Sequence, residues 1–512
     1  MPTATTPKLT PVIGLEIHVQ LKTNSKMFCA DDNNGENKPA NTTVSEISMG
    51  HPGTLPVPNR KAIEWTVKTG LALNCKIPAT FEFERKNYFY PDLPKGYQIT
   101  SSSKPPCVGG YLVIPTQKES RKIRLHHIHL EEDAAKNFHS TDGKHTLVDY
   151  NRAGTPLMEI VTEADIRTAQ EAKKFLQELR LITRYLGVSD ADMEKGHLRC
   201  DANVSLTDQT GEDGVPKKLY PKTEVKNLNS FKSVERAIEY EIMRQTKLWN
   251  EGEKPHQATR GWNDDKGISE EQRTKEDAHD YRYFPEPDIP PINLTKSKEG
   301  IDVSAIQLPE LPAARRKRFA DEYDMTADNA RVLVDDRGLA DFFEKTISEL
   351  RAWLQALGEE EGTEEEIWER SRGKLAKLTV NWLVNKLLGI TKSSTVAFYD
   401  NLKITPENFA EFITMLHTRK FNNTIALQVL TKMFETGKDP SVIVEEENLR
   451  GGQEMDINAL IEQIIKDNPK QVEQYKAGKE TLLQFFVGQV MRVTKGQADP
   501  EETAEKLKDR LG

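Results

Sequence analysis

Over the first 295 residues or so, apolar positions recur mostly at every second place; beyond about 305 they recur at every third or fourth. In GLEIHVQLK (14–22), Leu15, Ile17, Val19 and Leu21 alternate with Glu16, His18 and Gln20, the mark of a strand with one apolar and one polar face. YLVIP, RKIRLHHIHL, TPLMEIV and CDANVSL read as further strands, separated by Gly, Pro and Asn. Two helices interrupt them. Phe231, Val234, Ile238 and Ile242 recur at helical spacing behind a cap at Asn229 or Ser230, and RTAQEAKKFLQELRLITRYLG ends at Gly187, as helices often do. The charged segment DDKGISEEQRTKEDAHD (264–280) reads as a surface loop. The four prolines of FPEPDIPPINL forbid regular structure and mark the exit from a first domain.

Helical spacing then takes over in LPELPAARRKRFADEYD, in TADNARVLVDD with Thr326 as its cap, and in KLTVNWLVNKLLG. A second boundary falls near KITPENF, where Thr405 can cap and Pro406 takes the first helical position. The pattern predicts an α+β protein: a mostly antiparallel sheet domain over 1–295, a helical domain over 296–405 and a helical tail domain over 406–512. The acidic LGEEEGTEEEIWER reads as a solvated helix face or loop.

A chain of 512 residues exceeds what one core organises, which agrees with several domains. No apolar run approaches the ~20 residues that span a bilayer, and MPTATTPKLT has neither a signal-peptide nor a transit-peptide pattern, so a cytoplasmic protein is expected. The net charge of -9 argues against a general grip on nucleic acid, DNA included, while leaving room for a local basic patch. The four cysteines, Cys29, Cys75, Cys107 and Cys200, form no CxxC pair and read as reduced thiols.

Neither a GxxxxGK[ST] loop nor a GxGxxG after a strand is present, so a nucleotide has to be held another way. One way is the polar face of an open antiparallel sheet, where carboxylates hold Mg²⁺ and the ion holds phosphate oxygens. Glu16 and His18 share such a face. In RLHHIHLEEDAAK, Glu132 is in phase with Ile128 and Leu130, and Glu131 with His127 and His129; the two acids cannot both point one way. Glu159 stands alone in the apolar TPLMEIV and needs a cation or donors. Arg199, Asp201, Asn203 and Ser205 make another wholly polar strand face. Each of these has a plain reading too: a solvated face, a carboxylate satisfied by neighbouring donors, or ordinary strand histidines without the cysteines that Zn²⁺ sites favour. In RKNYFYPDLPKGYQITSSSK, Arg85, Lys86, Lys95 and Lys104 interleave with Tyr88, Phe89, Tyr90 and Tyr97, suited to phosphates and to stacking on a base or to a loop that wraps a core. Its SSSK reads as a turn rather than an amidase nucleophile.

Taken in order, GLEIHVQLKTNSKMFC, HPGTLPVPN, RKNYFYPDLPKGYQI, LEEDAAK, DYNRAGTPLMEIV, LRCDANVSL, EVKNLNSF, DYRYFPEPDIP and FFVGQVMRVTKGQADP resemble the B subunit of the aspartyl/glutamyl-tRNA amidotransferases over nearly the whole chain. The resemblance implies a glutamine synthetase-like N-terminal cradle, then a helical domain and a tRNA-contacting tail in which Arg492 and Lys495 could meet phosphates. It implies a complex with an amidase A subunit and a small C subunit. It implies ATP and Mg²⁺ as cofactors, with Glu16, His18, Glu132 and Glu159 as the catalytic metal ligands; the choice of Glu132 over Glu131 comes from the family pattern alone. The implied activity is ATP-dependent phosphorylation of the side-chain carboxylate of Glu-tRNA(Gln) or Asp-tRNA(Asn), followed by amidation with ammonia. Many members hold Zn²⁺ with four cysteines; here Cys29 remains, with Asp31, Ser45 and Ser48 at the other positions, so no Zn²⁺ is expected. Asp499 stands where related tails often carry Asn.

Overall fold

The alternating stretch near the N-terminus becomes the middle of a sheet. The computed structural model describes residues 9–511 apart from 117–119, 212–214, 275–279, 296–299, 358–362, 392–401, 419–421, 448, 450–456, 495–497 and 499. Its central strands are β1 (Thr10–Gln20), β2 (Ser120–Glu132), β3 (Pro156–Thr162), β4 (Leu198–Thr207) and β5 (Thr223–Leu228). They stand in the order β5-β4-β1-β3-β2 within a sheet of 12 strands. These neighbours all run antiparallel; β5 and the Ala258–Asn263 strand are parallel, joined by a helical crossover.

One face of this sheet is apolar because alternate residues point the same way. Ile13, Leu15, Ile17 and Val19 of β1 join Ile128, Leu130, Met158, Ile160, Ala202 and Val204 in one core. Three helices close that side. Ile63 and Val67 come from α1 (Arg60–Ala72), Phe175, Leu176 and Leu179 from α2 (Ala169–Leu186), and Val234 and Ile238 from α3 (Phe231–Asn250). Ser230 caps α3 by accepting from the Ser233 N–H, and Gly187 ends α2 in the left-handed conformation that glycine adopts without strain. The opposite face of the sheet is left for polar groups.

Part of the charged 264–280 segment is a strand and not a loop. Ile268–Thr274 pairs with Ala258–Asn263 through a turn ending at Gly267, with Ser269 buried and Glu270 and Glu271 exposed or half-exposed. Charge lowered its apolar signal because this is the sheet's edge, where charged side chains guard against unwanted pairing; residues 275–279 lie outside the described range. The proline-rich stretch also returns to the sheet domain. Phe284–Pro285 pairs with Glu84 and Arg85, and Ile292–Asn293 with Thr80 and Phe81. Ile301, Val303, Ile306 and Leu311 then pack on the first core.

The chain divides into two units, Met1–Leu311 and Pro312–Gly512. The second is helical. Pro312–Tyr323, Ala327–Val334, Arg337–Leu357 and Glu364–Trp382 are followed by Pro406–His417, with Thr326, Thr363 and Thr405 as caps. Phe409 and Phe412 of Pro406–His417 meet Phe342 and Trp382 at ring distances of 5.7 and 5.2 Å. Packing therefore runs across the expected start of the tail. Ile457–Asp467, Leu482–Val493 and Pro500–Leu511 share a separate small core. Arg492 is at the end of Leu482–Val493; Lys495 and Asp499 lie outside the described residues. Among the described residues no helix is long and apolar enough to cross a membrane.

Candidate functional site

Register builds the site. Arg199 of β4, His18 of β1, Glu159 of β3 and His129 of β2 are direct cross-strand partners, so one row of polar side chains crosses four strands. His18 Nε2 lies 3.1 Å from Glu159 Oε2, and His129 Nε2 lies 3.3 Å from the same oxygen. Glu131, two residues along β2, brings its carboxylate to 3.9 Å from His18 and 3.6 Å from His129. One ligand atom each from His18, Glu131 and Glu159 fit within 4.8 Å of one another.

Two anions and two imidazoles in a buried place perturb one another. Burial works against the charge on His129, yet Glu159 and Glu131 outweigh it and raise its pKa to about 10. His18 moves upward for the same reasons, against burial and the nearby Arg199. Burial opposes ionisation of Glu159 as well, but His129 and His18 hold its pKa well below the ordinary value. His127 goes the other way: burial, then the charges of His129 and His126, lower it to about 4. The three β2 histidines touch in series, His126 Nδ1 to His127 Nδ1 at 2.6 Å and His127 Nε2 to His129 Nδ1 at 2.9 Å.

Of the expected ligands, His18 and Glu159 come together. Glu16 shares their face, but its carboxylate accepts from Asn203 Nδ2 at 2.9 Å and lies outside the cluster. Glu132 does not join them. Strand alternation turns it to the other side, where Lys95 grips both its oxygens and the Ile99 N–H donates to it at 3.1 Å. Its neighbour Glu131 takes the place in the cluster; strand phase grouped it with His129 but left the choice between the two acids open. Two carboxylates and one imidazole are a donor set that a divalent cation can take.

The other sequence candidates are accounted for structurally. Ser103 donates to Glu84 at 2.6 Å and Lys104 to Glu82 at 2.7 Å, which leaves SSSK as a tied turn. Arg85 forks onto Glu286 at 2.7 and 2.8 Å. Lys86 stands over the Tyr281 ring at 5.0 Å, while Phe89 is 92% exposed. Burial raises the thiol pKa of Cys29 to about 11 and of Cys75 to about 12, and lifts Cys107 and Cys200 well above the usual value. Asp31 gathers Ser48, Ser45 and Cys29 around it, and they bring its pKa below normal although burial works against it. One thiol, one carboxylate and two hydroxyls are not the cysteine-rich set that structural Zn²⁺ takes.

Known proteins agree with this architecture. Residues 11–299 match the family described as the GatB/GatE catalytic domain, and residues 365–511 match the one described as the GatB domain. The B subunit of the aspartyl/glutamyl-tRNA(Asn/Gln) amidotransferase of Persephonella marina is 43% identical over 98% of this chain and 99% of its own length. The B subunits of the same name from Caldanaerobacter subterraneus and Thermotoga neapolitana are each 44% identical, over 98% and 96% of this chain and 99% and 97% of their own. The chain belongs to the family of aspartyl/glutamyl-tRNA amidotransferase B subunits.

Proposed function

We propose that this chain activates the side-chain carboxylate of Glu-tRNA(Gln), Asp-tRNA(Asn) or both by ATP-dependent phosphorylation, so that ammonia can displace phosphate and leave the amide. A free carboxylate reacts poorly with ammonia because oxide is a poor leaving group; the acyl phosphate has a good one. The sheet is taken as a glutamine synthetase-like cradle whose polar face is the reaction floor. The observation that carries this reading is the convergence of His18, Glu131 and Glu159 on that face in a member of this family. Those three side chains would hold Mg²⁺, which neutralises phosphate oxygens and lets two anions approach. Glu159 orients His18 and His129 through its two close contacts. Phosphoryl transfer needs little more from the protein than positioning and charge.

Ammonia comes from elsewhere. Burial raises the thiol pKa of each described cysteine, and Ser103 and Lys104 of SSSK are tied to glutamates while Ser101 donates to the Leu130 carbonyl, which argues against a glutaminase nucleophile here. An amidase A subunit and a small C subunit complete the enzyme, a cytoplasmic heterotrimer. A scaffold that only binds tRNA would have no use for a buried metal-type cluster. The test is to incubate the assembled complex with γ-labelled ATP, Mg²⁺ and Glu-tRNA(Gln) without glutamine. Label appears on the aminoacyl group with the wild-type chain and is absent with Glu131→Gln plus Glu159→Gln. Amidation that survives the double substitution would end this reading.

A further inference from the structure

The row that carries His18 and Glu159 continues to Arg199, and the partners of that guanidinium are unusual. Its Nη2 donates to Asp133 Oδ2 at 2.6 Å, and the same carboxylate takes Gln20 Nε2 at 2.7 Å and the Ala134 N–H at 2.9 Å. Arg152 Nε lies 3.7 Å from the same Oδ2 and is itself fixed by donating to the Ala134 and Ala135 carbonyls at 2.9 and 2.7 Å. Asp133 is 3% exposed, whereas the Arg199 side chain is 39% exposed. A buried carboxylate thus holds two arginines, and Glu131 and Asp201 also bear on Arg199. The Nε–H of Arg199 is buried and has no partner. A buried donor left without an acceptor is costly, and a bound oxygen would remove that cost.

Two nearby lysines are already paired with carboxylates. Lys226 lies 2.5 Å from Asp201 and 2.9 Å from Glu224, so two carboxylates outweigh its charge. Lys95 is gripped by Glu132. Arg199 stands beside His18 in the register, and its charge is felt at His18. A planar fork of N–H donors matches phosphate and carboxylate oxygens.

We infer that Arg199 is an oxyanion-binding residue beside the His18–Glu131–Glu159 cluster, with Asp133, Arg152 and Gln20 as positioning residues that hold its fork. The oxyanion is the terminal phosphate of the nucleotide or the side-chain carboxylate of the esterified amino acid, groups that share one chemistry. The inference rests on the phosphoryl-transfer reading above and adds a residue that this reading did not use. Arg199 supplies a fixed positive charge that costs no reorganisation when the anions meet.

The experiment compares Arg199→Gln and Arg199→Lys with wild type in the assembled complex. It measures the affinities for ATP and ADP with Mg²⁺, the KM for Glu-tRNA(Gln), the kcat of ADP release and the thermal midpoint. If the terminal phosphate is the ligand, Arg199→Gln loses at least tenfold in ATP affinity and its preference for ATP over ADP. If the substrate carboxylate is the ligand, ATP affinity stays and the KM for Glu-tRNA(Gln) rises at least tenfold. In either case Arg199→Lys recovers part of the loss and the thermal midpoint does not account for it. Constants that stay within twofold of wild type in Arg199→Gln overturn the inference. So does a loss that follows a lowered midpoint and is untouched by lysine. A wild-type complex that neither binds ATP nor consumes it sinks the proposed function itself, which distinguishes the two failures.

Discussion

Replacing Glu131 and, separately, Glu132 by glutamine tests two adjacent acids with opposite assignments. Glu132 and Lys95 are 6% and 11% exposed at their side chains, and the Lys95 Nζ reaches Glu132 Oε2 at 2.6 Å. Breaking a buried pair of this kind costs about 3–5 kcal/mol because a charge is left without its partner. At about 2 °C per kcal/mol for a large unit, the melting midpoint of the first unit falls by roughly 6–10 °C. Mg²⁺ affinity stays close to wild type. Glu131→Gln does the reverse. It removes one of two carboxylates from the cluster, and a unit charge about 4 Å from a divalent ion is worth about 8 kcal/mol at an effective dielectric of about 20. If lost hydration offsets about three-quarters of that, Mg²⁺ binds about 30-fold more weakly. Calorimetric Mg²⁺ titration, checked by Mn²⁺ competition, reads the affinity, and thermal melts read the stability. The reasoning is refuted if Glu132→Gln abolishes ion binding while Glu131→Gln leaves it within threefold.

Two further predictions concern the same unit. In protein stripped of metal, His129 holds its proton to about pH 10 against an ordinary 6.5, so its contribution is complete below 6.5 and is lost as pH rises through 10; at 1.36 kcal/mol per pH unit the whole effect is at most about 5 kcal/mol. Urea midpoints should fall between pH 7 and 10 in wild type and much less in Glu159→Gln, and parallel curves would contradict this. A methyl group on Gly70 of α1 would sit 2.4 Å from Cys107 Sγ, so Gly70→Ala should cost about 1–3 kcal/mol by overpacking, most of it recovered with Cys107→Ala added.

Much of this site could be read in the residues before any pairing was known. Alternation made β1 a strand and put Glu16 and His18 on one face; isolation in an apolar run made Glu159 a carboxylate in need of partners. Alternation also placed Glu131 and Glu132 on opposite faces, without saying which face held the site. Only register decides that, and it joins Glu159 to His129 across 30 positions and to His18 across 141. Arg199 shows the same limit. Its strand read as polar on one side, but its place in line with His18 and Glu159 exists only once β4, β1 and β3 are paired. The strand at Ile268–Thr274 was missed for a different reason, because an edge strand needs charge on its open side and a charged heptad looks like a loop.

The position of β1 in the sheet has a consequence for biosynthesis. Its two neighbours are Pro156–Thr162 and Leu198–Thr207, so β1 is made well before either of its partners. At 5–20 residues per second, about 10–40 s pass before the ribosome has made the second partner. Through that interval a strand with a fully apolar side is exposed to chaperones and to other nascent chains.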